Sequence, residues 1–230
     1  APPGGRVFTR TLGASPAEAM DAHAVLSPKM RAWVAARGEE GVASSSSAPA
    51  ALRPCPVDHL RSLVKTPAQS LLTVILPFGS DAAMRRLYVN FRGQLRVGRL
   101  LEELDSFAGT VAYLHADDGD VATEPPLLVT ASTDRVDLLH YPLPVDRDLA
   151  LVGMVSYVGS SSINVDVDVM MRPTARDATA TLLMQASLTF VARNRENKAV
   201  AMPQLAPSSP FELALYEAGA RAQSERKAAR

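Results

Sequence analysis

The chain has 230 residues, 47% of them hydrophobic, which is enough to build one ordinary domain with a tail or two small domains. Lys and Arg together equal Asp and Glu at 24 each, and this neutral balance argues against a dominant nucleic-acid or anionic-membrane surface. A single cysteine, Cys55, and four histidines provide neither an internal disulfide nor a structural metal pattern, and no stretch approaches the roughly 18 apolar residues of a membrane span.

Residues 1–67 are rich in Ala, Pro and Ser and are predicted to form an N-terminal extension. A Ser-Pro pair that suits a helix start predicts a short helix over 15–38, and SSSSAPA (44–50) is predicted to be a linker. The first 17 residues contain two arginines and no acid. This pattern is typical of an organellar transit sequence or its remnant, and a trimmed N-terminus is the alternative.

The predicted body covers 68–207 and begins with a strand, SLLTVILP (70–77). A turn and a short helical or irregular connection follow over 78–93. Next comes a helix whose apolar positions keep a period of 3.6 residues over four turns. These positions are Val97, Leu100, Leu101, Leu104, Ala108, Val111 and Ala112.

The remaining body is predicted to be four antiparallel strands joined by short turns, over 127–141, 149–158, 163–171 and 179–194. Residues 208–230 are predicted to form a helix that Ser209 caps and Pro210 begins. This order excludes a parallel doubly wound sheet, which needs a helix between strands. The sequence therefore predicts an α+β hotdog fold, in which an antiparallel sheet curls around one central helix.

The stretch INVDVDVMM (163–171) alternates apolar and polar residues, with Asn164, Asp166 and Asp168 on the polar face. A strand this flat and regular is an aggregation hazard if it lies at a free sheet edge. We therefore expect the chain to form a homodimer or higher oligomer, or to pair with another hotdog subunit.

Five blocks of the sequence carry a resemblance to a known family. They are VILPFGS (74–80), LRVGRLLEELDSFAGTVAYLH (95–115), TASTDRVDLLHYPLP (130–144), VSYVGSSSINVDVDV (155–169) and FVARNRENKAVAMPQLAP (190–207). In their order and spacing the chain resembles the mitochondrial acyl-coenzyme A thioesterases of the tandem-hotdog type, and specifically their first hotdog repeat, over about 68–225. The resemblance implies hydrolysis of acyl-CoA to free acid and CoA, with no cofactor, in mitochondria, at a site shared by two hotdogs.

The start of the long helix has the features needed to stabilise an oxyanion. A thioester carbonyl attacked by water becomes negatively charged, and a helix N-terminus offers free N–H groups and a partial positive charge. Gly98 allows a substrate to approach the backbone closely. Gln94, just before the helix, resembles the amide that related thioesterases place here, although a simple helix-start role is the alternative.

The helix also carries candidate general bases. A partly buried carboxylate suits proton abstraction, and the resemblance implies this role for Asp105. Gln94 precedes Asp105 by about three helical turns, on the order of 15 Å along a helix, so two hotdogs would be needed to bring an amide and an acid together. Glu102 is the second candidate for the general base. For each of these acids the alternative is that it lies on the solvent-exposed edge of the helix and has no catalytic role.

The resemblance further implies a CoA-binding role for the GSSS segment, whose alternative role is a simple hairpin turn. The segment comprises Gly159, Ser160, Ser161 and Ser162. Arg99 is expected either to contact phosphates or to form a surface ion pair. His115 and His140 are interpreted as structural because neither lies beside a nucleophile.

Three other functions are considered. A hotdog hydratase would need a catalytic His paired with an acid at the helix, and none is placed there. A serine-triad thioesterase is disfavoured because the chain contains no Gly-x-Ser-x-Gly elbow. The main alternative is a non-catalytic subunit of a large mitochondrial assembly, with the N-terminal extension lying on another surface.

Overall fold

The structure, a computed structural model, describes residues 53–54, 57–120, 122–173 and 179–228. The predicted helix over 15–38, the predicted linker and Cys55 lie outside these ranges. The elements are β1 (Arg53–Pro54), α1 (Val57–Ser62), β2 (Val64–Lys65), a 3-10 helix (Pro67–Ser70), β3 (Leu72–Leu76), α2 (Ala82–Tyr88), α3 (Val97–Ala116), β4 (Thr123–Glu124), β5 (Leu127–Leu138), β6 (Leu149–Val158), β7 (Ser162–Met171), β8 (Thr181–Arg193), β9 (Gln204–Leu205) and α4 (Pro210–Ala228).

The main sheet has five strands in the order β3-β6-β7-β8-β5, and every neighbouring pair is antiparallel. The long helix α3 packs against β5, β6, β7 and β8. This arrangement confirms the predicted α+β architecture of one helix covered by one antiparallel sheet. Two small parallel pairs, β1 with β4 and β2 with β9, lie outside the main sheet.

The core lies between α3 and the inner face of the sheet. On the helix, the buried hydrophobic side chains largely follow the predicted period: Leu100, Leu104, Phe107, Ala108, Val111, Ala112 and Ala116. Leu101, which the period placed on the same face, is 37% exposed. Gly153 on β6 faces this helix, and a Cβ atom there would lie 2.6 Å from the Phe107 ring. The helix can therefore approach the sheet this closely only because residue 153 has no side chain.

The alternation predicted over 163–171 is confirmed on its apolar face, whereas Asn164 on the predicted polar face is buried. Ile163, Val165 and Val167 are buried on the inner face, and β7 pairs with β6 on one side and β8 on the other. The regular alternation is therefore protected at the centre of the sheet. The free edges of the main sheet belong to β3 and β5.

The C-terminal helix α4 begins as predicted. The Ser209 hydroxyl accepts the Glu212 N–H at 3.2 Å, and the Glu212 carboxylate accepts the N–H groups of Ser208 and Ser209. The helix packs against β6, where the Tyr157 and Tyr216 ring centroids are 5.1 Å apart. None of the helices in the described ranges combines the length and apolar character needed to cross a membrane.

Candidate functional site

The loop that leads into α3 is organised by Asn90. Its side-chain Oδ1 accepts the backbone N–H of Arg92 at 2.9 Å and that of Gln94 at 3.0 Å. The Asn90 N–H in turn donates to the Gln94 carbonyl at 2.8 Å. Gly93 closes the turn with φ +74°, a conformation that glycine adopts at little cost. One side chain therefore holds the whole turn in place.

This hydrogen bonding also orients the Asn90 amide. Because Oδ1 faces two N–H donors, the Nδ2 group must point away from the turn. Among the described residues, that Nδ2 group has no acceptor. Asn90 therefore presents a fixed, unused N–H donor at the entrance to α3.

The amide predicted from the sequence, Gln94, is half-buried in the same turn. Its backbone carbonyl and N–H help to close that turn.

The first turns of α3 place the other predicted residues. A Cβ atom built on Gly98 would meet nothing within 4 Å, so the backbone there is open to approach. The Arg99 guanidinium forms ion pairs with Glu102 and Glu103, and it lies 5.5 Å from the Tyr88 ring. Burial, followed by the neighbouring Glu103, raises the pKa of the Tyr88 phenol. Arg99 and Glu102 therefore neutralise each other on the exposed side of the helix.

Asp105 lies in the middle of α3, on the side that faces the edge strand β5. Its Oδ1 accepts a hydrogen bond from the Thr130 hydroxyl at 2.9 Å, which fixes the carboxylate in one orientation. The carboxylate is exposed in the single chain, so the partial burial expected from the sequence is absent here. Asp105 comes eight residues after Val97, which corresponds to about 12 Å along the helix. The amides at the helix entrance cannot reach this carboxylate within one chain.

A mostly apolar cleft of about 230 Å³ opens beside Asp105, between α3 and the β5–β8 pair. Asp105 is the charged group in its wall. The cleft is lined by Leu101, Leu104, Asp105, Thr133, Val136, Ala186 and Leu188.

The predicted GSSS segment is a closed hairpin connection. The Gly159 N–H donates to the Ser162 carbonyl at 2.8 Å, and the Ser161 carbonyl accepts an N–H from β8 at 2.8 Å. Ser162 is the first residue of β7, while Ser160 is exposed. Gln223 of α4 donates to the Ser162 hydroxyl at 3.2 Å. Helix α4 therefore covers one side of this hairpin.

The histidines occupy very different environments. His115 is fully buried and its Nε2–H donates to the Pro203 carbonyl at 2.9 Å. Burial lowers its pKa from 6.5 to about 4, and the nearby Lys65 ammonium acts in the same direction. His140 is exposed. Within the described ranges, no group of three or more His, Cys, Asp or Glu side chains is arranged to hold a metal ion.

No family model matches the chain. The chain is 38% identical over 167 residues to the chloroplastic acyl-coenzyme A thioesterase 2 of Humulus lupulus, covering 72% of this chain and 38% of that protein. It is 32% identical over 158 residues to the mitochondrial acyl-coenzyme A thioesterase 9 of Mus musculus, covering 68% and 36%. The chain thus spans little more than a third of the length of these relatives.

The uncharacterized acyl-CoA thioester hydrolase YkhA of Bacillus subtilis is 31% identical over 144 residues, covering 61% of this chain and 76% of that protein. The acyl-CoA hydrolase from Staphylococcus aureus, solved with butyryl coenzyme A, matches with TM-score 0.60 and 29% identity over 73% of this chain and 92% of that chain. An apo-hexameric acyl-CoA thioesterase matches with TM-score 0.60 and 26% identity over 72% and 96%. The fold and these structural matches define a hotdog protein. The chain belongs to the acyl-CoA thioester hydrolase family.

Variants of the Staphylococcus aureus enzyme have been solved with alanine in place of an asparagine, an aspartate and a threonine. The sequence separation between that asparagine and that aspartate equals the separation between Asn90 and Asp105 in this chain. Thr130 is in turn hydrogen-bonded to Asp105. Gln94 was the amide singled out from the sequence because it comes just before the helix, whereas Asn90 lies four residues earlier in the turn. The 15-residue separation from Asp105, rather than the 11 residues between Gln94 and Asp105, is the feature that points to Asn90.

Proposed function

We propose that this chain hydrolyses acyl-CoA to a free acid and CoA at a site shared between two hotdog units. The observation that carries the proposal is the pair formed by a fixed Asn90 donor and a Thr130-oriented Asp105 carboxylate. Their spacing matches an asparagine–aspartate pair in a solved acyl-CoA hydrolase. Family membership supports the same reaction.

The entrance to α3 stabilises the negative charge of the reaction. The thioester carbonyl oxygen lies within reach of Asn90 Nδ2 and of the free N–H groups of the first helical turn. These donors are fixed before substrate arrives, so they stabilise the oxyanion without reorganising. The open backbone at Gly98 gives the carbonyl access to that turn. Gln94 contributes a second amide, as a donor or by holding the attacking water.

Asp105 acts as the general base. It takes a proton from water as the water oxygen bonds to the carbonyl carbon, and Thr130 keeps the carboxylate aligned. The carbon–sulfur bond then breaks, and the proton passes from Asp105 to the departing thiolate. The products are a carboxylic acid and CoA, with all atoms accounted for. Glu102 remains the reserve candidate for this role.

Two hotdog units are required by the separation of about 12 Å between the helix start and Asp105. The edge strand β5 offers a surface for this pairing, because it is unpaired on one side within the main sheet and carries exposed apolar side chains. The second unit is either a second copy or another hotdog repeat, and the hexameric relative supports self-association. The exposed apolar residues of β5 are Val129, Val136 and Leu138, and the exposed Leu139 and Tyr141 follow the end of the strand.

The CoA moiety is expected to contact the hairpin from Gly159 to Ser162 and the helix start near Arg99. Ser160 is the most accessible hydroxyl of the hairpin.

The mitochondrial name of a relative and the acid-free, arginine-containing N-terminus support a mitochondrial location, with another organelle as the alternative. Imaging of the full-length protein with a C-terminal fluorescent fusion would test the location.

Thiol release from acyl-CoA tests the proposed reaction directly. The sharpest variant is Asn90→Asp, because it keeps the Oδ1 acceptor that holds the turn while removing the N–H donor. We expect Asn90→Asp and Asp105→Asn each to lower kcat by at least about a hundredfold with unchanged melting temperature. Gln94→Ala tests the second amide, and Asp137→Asn on the outer face of β5 is the control. Wild-type protein that releases no thiol would refute the proposal and favour the non-catalytic subunit.

A further inference from the structure

The tip of the turn that carries Asn90 is a fully exposed aromatic residue. Phe91 is 92% exposed, the highest value among the large apolar side chains of the described ranges. It follows Asn90 directly, so the two Cα atoms are about 3.8 Å apart. The Asn90 Oδ1 atom accepts two backbone N–H groups, and these hydrogen bonds fix the backbone of the turn from which Phe91 projects. An exposed aromatic side chain on a fixed backbone is typical of an interface anchor.

The cleft beside Asp105 is the complementary feature. Its wall is apolar apart from Asp105 and Thr133, and its volume of about 230 Å³ is large enough for an aromatic ring. For comparison, an apolar cavity of about 150 Å³ can bind benzene. Val136 and Leu101 at its mouth are themselves partly exposed, so the cleft continues onto the apolar edge of β5.

The proposed shared site brings these two features together. If Asn90 of one unit meets Asp105 of another on the same carbonyl, the neighbouring Phe91 must lie next to the cleft whose wall contains that Asp105. We infer that Phe91 of one copy inserts its ring into the Asp105 cleft of a second copy. This inference rests on the proposed function, from which it takes the pairing of two units.

The contact has a consequence for the substrate. A ring seated in the cleft closes the space beside the base, so the acyl chain cannot extend in that direction. Phe91 is therefore a specificity-determining residue: its removal opens the cleft and allows longer acyl chains to be accommodated. Substrate chain length then depends on a residue supplied by the opposite copy.

Intermolecular cross-linking tests the contact independently of activity. In a Cys55→Ser background, one tagged chain carries Phe91→Cys and a second, differently tagged chain carries Val136→Cys. Mixing followed by mild oxidation should give a disulfide-linked pair of different tags, because a disulfide forms only when the two Cβ atoms approach to about 4 Å. The matched control replaces Phe91→Cys with Phe211→Cys, an exposed phenylalanine on α4 that should give no such product.

Two further measurements complete the test. Phe91→Ala should weaken self-association at least about tenfold in analytical ultracentrifugation and shift thiol release towards longer acyl-CoA, whereas Phe211→Ala should change neither. If the protein releases thiol but the cross-linked product does not exceed that of the control, the inference is overturned and the proposed reaction still stands. Cross-linking without thiol release would support the contact and refute the reaction. A monomeric chain would overturn the inference.

Discussion

The buried histidine of the C-terminal turn of α3 makes the stability of the fold depend on pH. His115 is neutral when folded because burial lowers its pKa from 6.5 to about 4. The unfolded chain binds this proton more readily, so stability is fully present above pH 6.5 and falls as the pH drops towards 4. The complete loss is about 3 kcal/mol, and the loss between pH 8 and pH 5 is about 2 kcal/mol.

Denaturant unfolding at pH 8 and pH 5 measures this loss for the wild type and for His115→Gln. Glutamine keeps an N–H donor for the Pro203 carbonyl but cannot take up a proton. The variant will be less stable at both pH values because it loses ring packing. We expect the difference between its two free energies of unfolding to be smaller than that of the wild type by about 2 kcal/mol.

Carboxylates also contribute to the loss of stability at low pH. The informative quantity is therefore the difference between the wild type and His115→Gln in how much the free energy of unfolding changes from pH 8 to pH 5. His140→Gln is the matched control, because it makes the same substitution at an exposed histidine. An equal pH dependence in the wild type and His115→Gln would refute the assignment of the effect to this buried imidazole.

Three further changes test the packing and the site. Gly153→Ala should lower the free energy of unfolding by about 1–3 kcal/mol because its Cβ would lie 2.6 Å from the Phe107 ring, and Phe107→Leu should partly restore it in a thermal melt. Glu212→Ala should destabilise the start of α4 by about 1–2 kcal/mol, measured by urea unfolding, since it leaves N–H groups without an acceptor. Thr130→Val should lower kcat about tenfold with little change in melting temperature, because Asp105 loses the hydroxyl that aligns it; an unchanged kcat would remove Thr130 from the mechanism.

The fold could be predicted from sequence where local periodicity reports burial directly. The 3.6-residue period from Leu100 to Ala112 marks the helix face that meets the sheet, and the alternation over 163–171 marks the two faces of a strand. Neither pattern reports which strands are neighbours. The position of β7 at the sheet centre follows from non-local pairing with β6 and β8, which the alternation of its own residues does not report.

The candidate site could be predicted only in part. Asp105 is one of three acids on a helix with a strong apolar period, and the resemblance implied its role. Asn90 was missed because its importance comes from the conformation of the turn, where its Oδ1 accepts two N–H groups and its Nδ2 becomes a free donor. The expected burial of Asp105 failed in the single chain because this side of α3 adjoins the unpaired edge strand.

One chain cannot span the distance between the helix start and Asp105. The proposed enzyme should therefore show complementation between different inactive variants. In a symmetric dimer, a chain defective at Asn90 and a chain defective at Asp105 would complement each other, because the mixed pair keeps one of its two centres intact. Random mixing of the two inactive proteins in equal amounts should restore about a quarter of the wild-type centres. Two null alleles of this protein would then be functional when expressed together, although neither works alone.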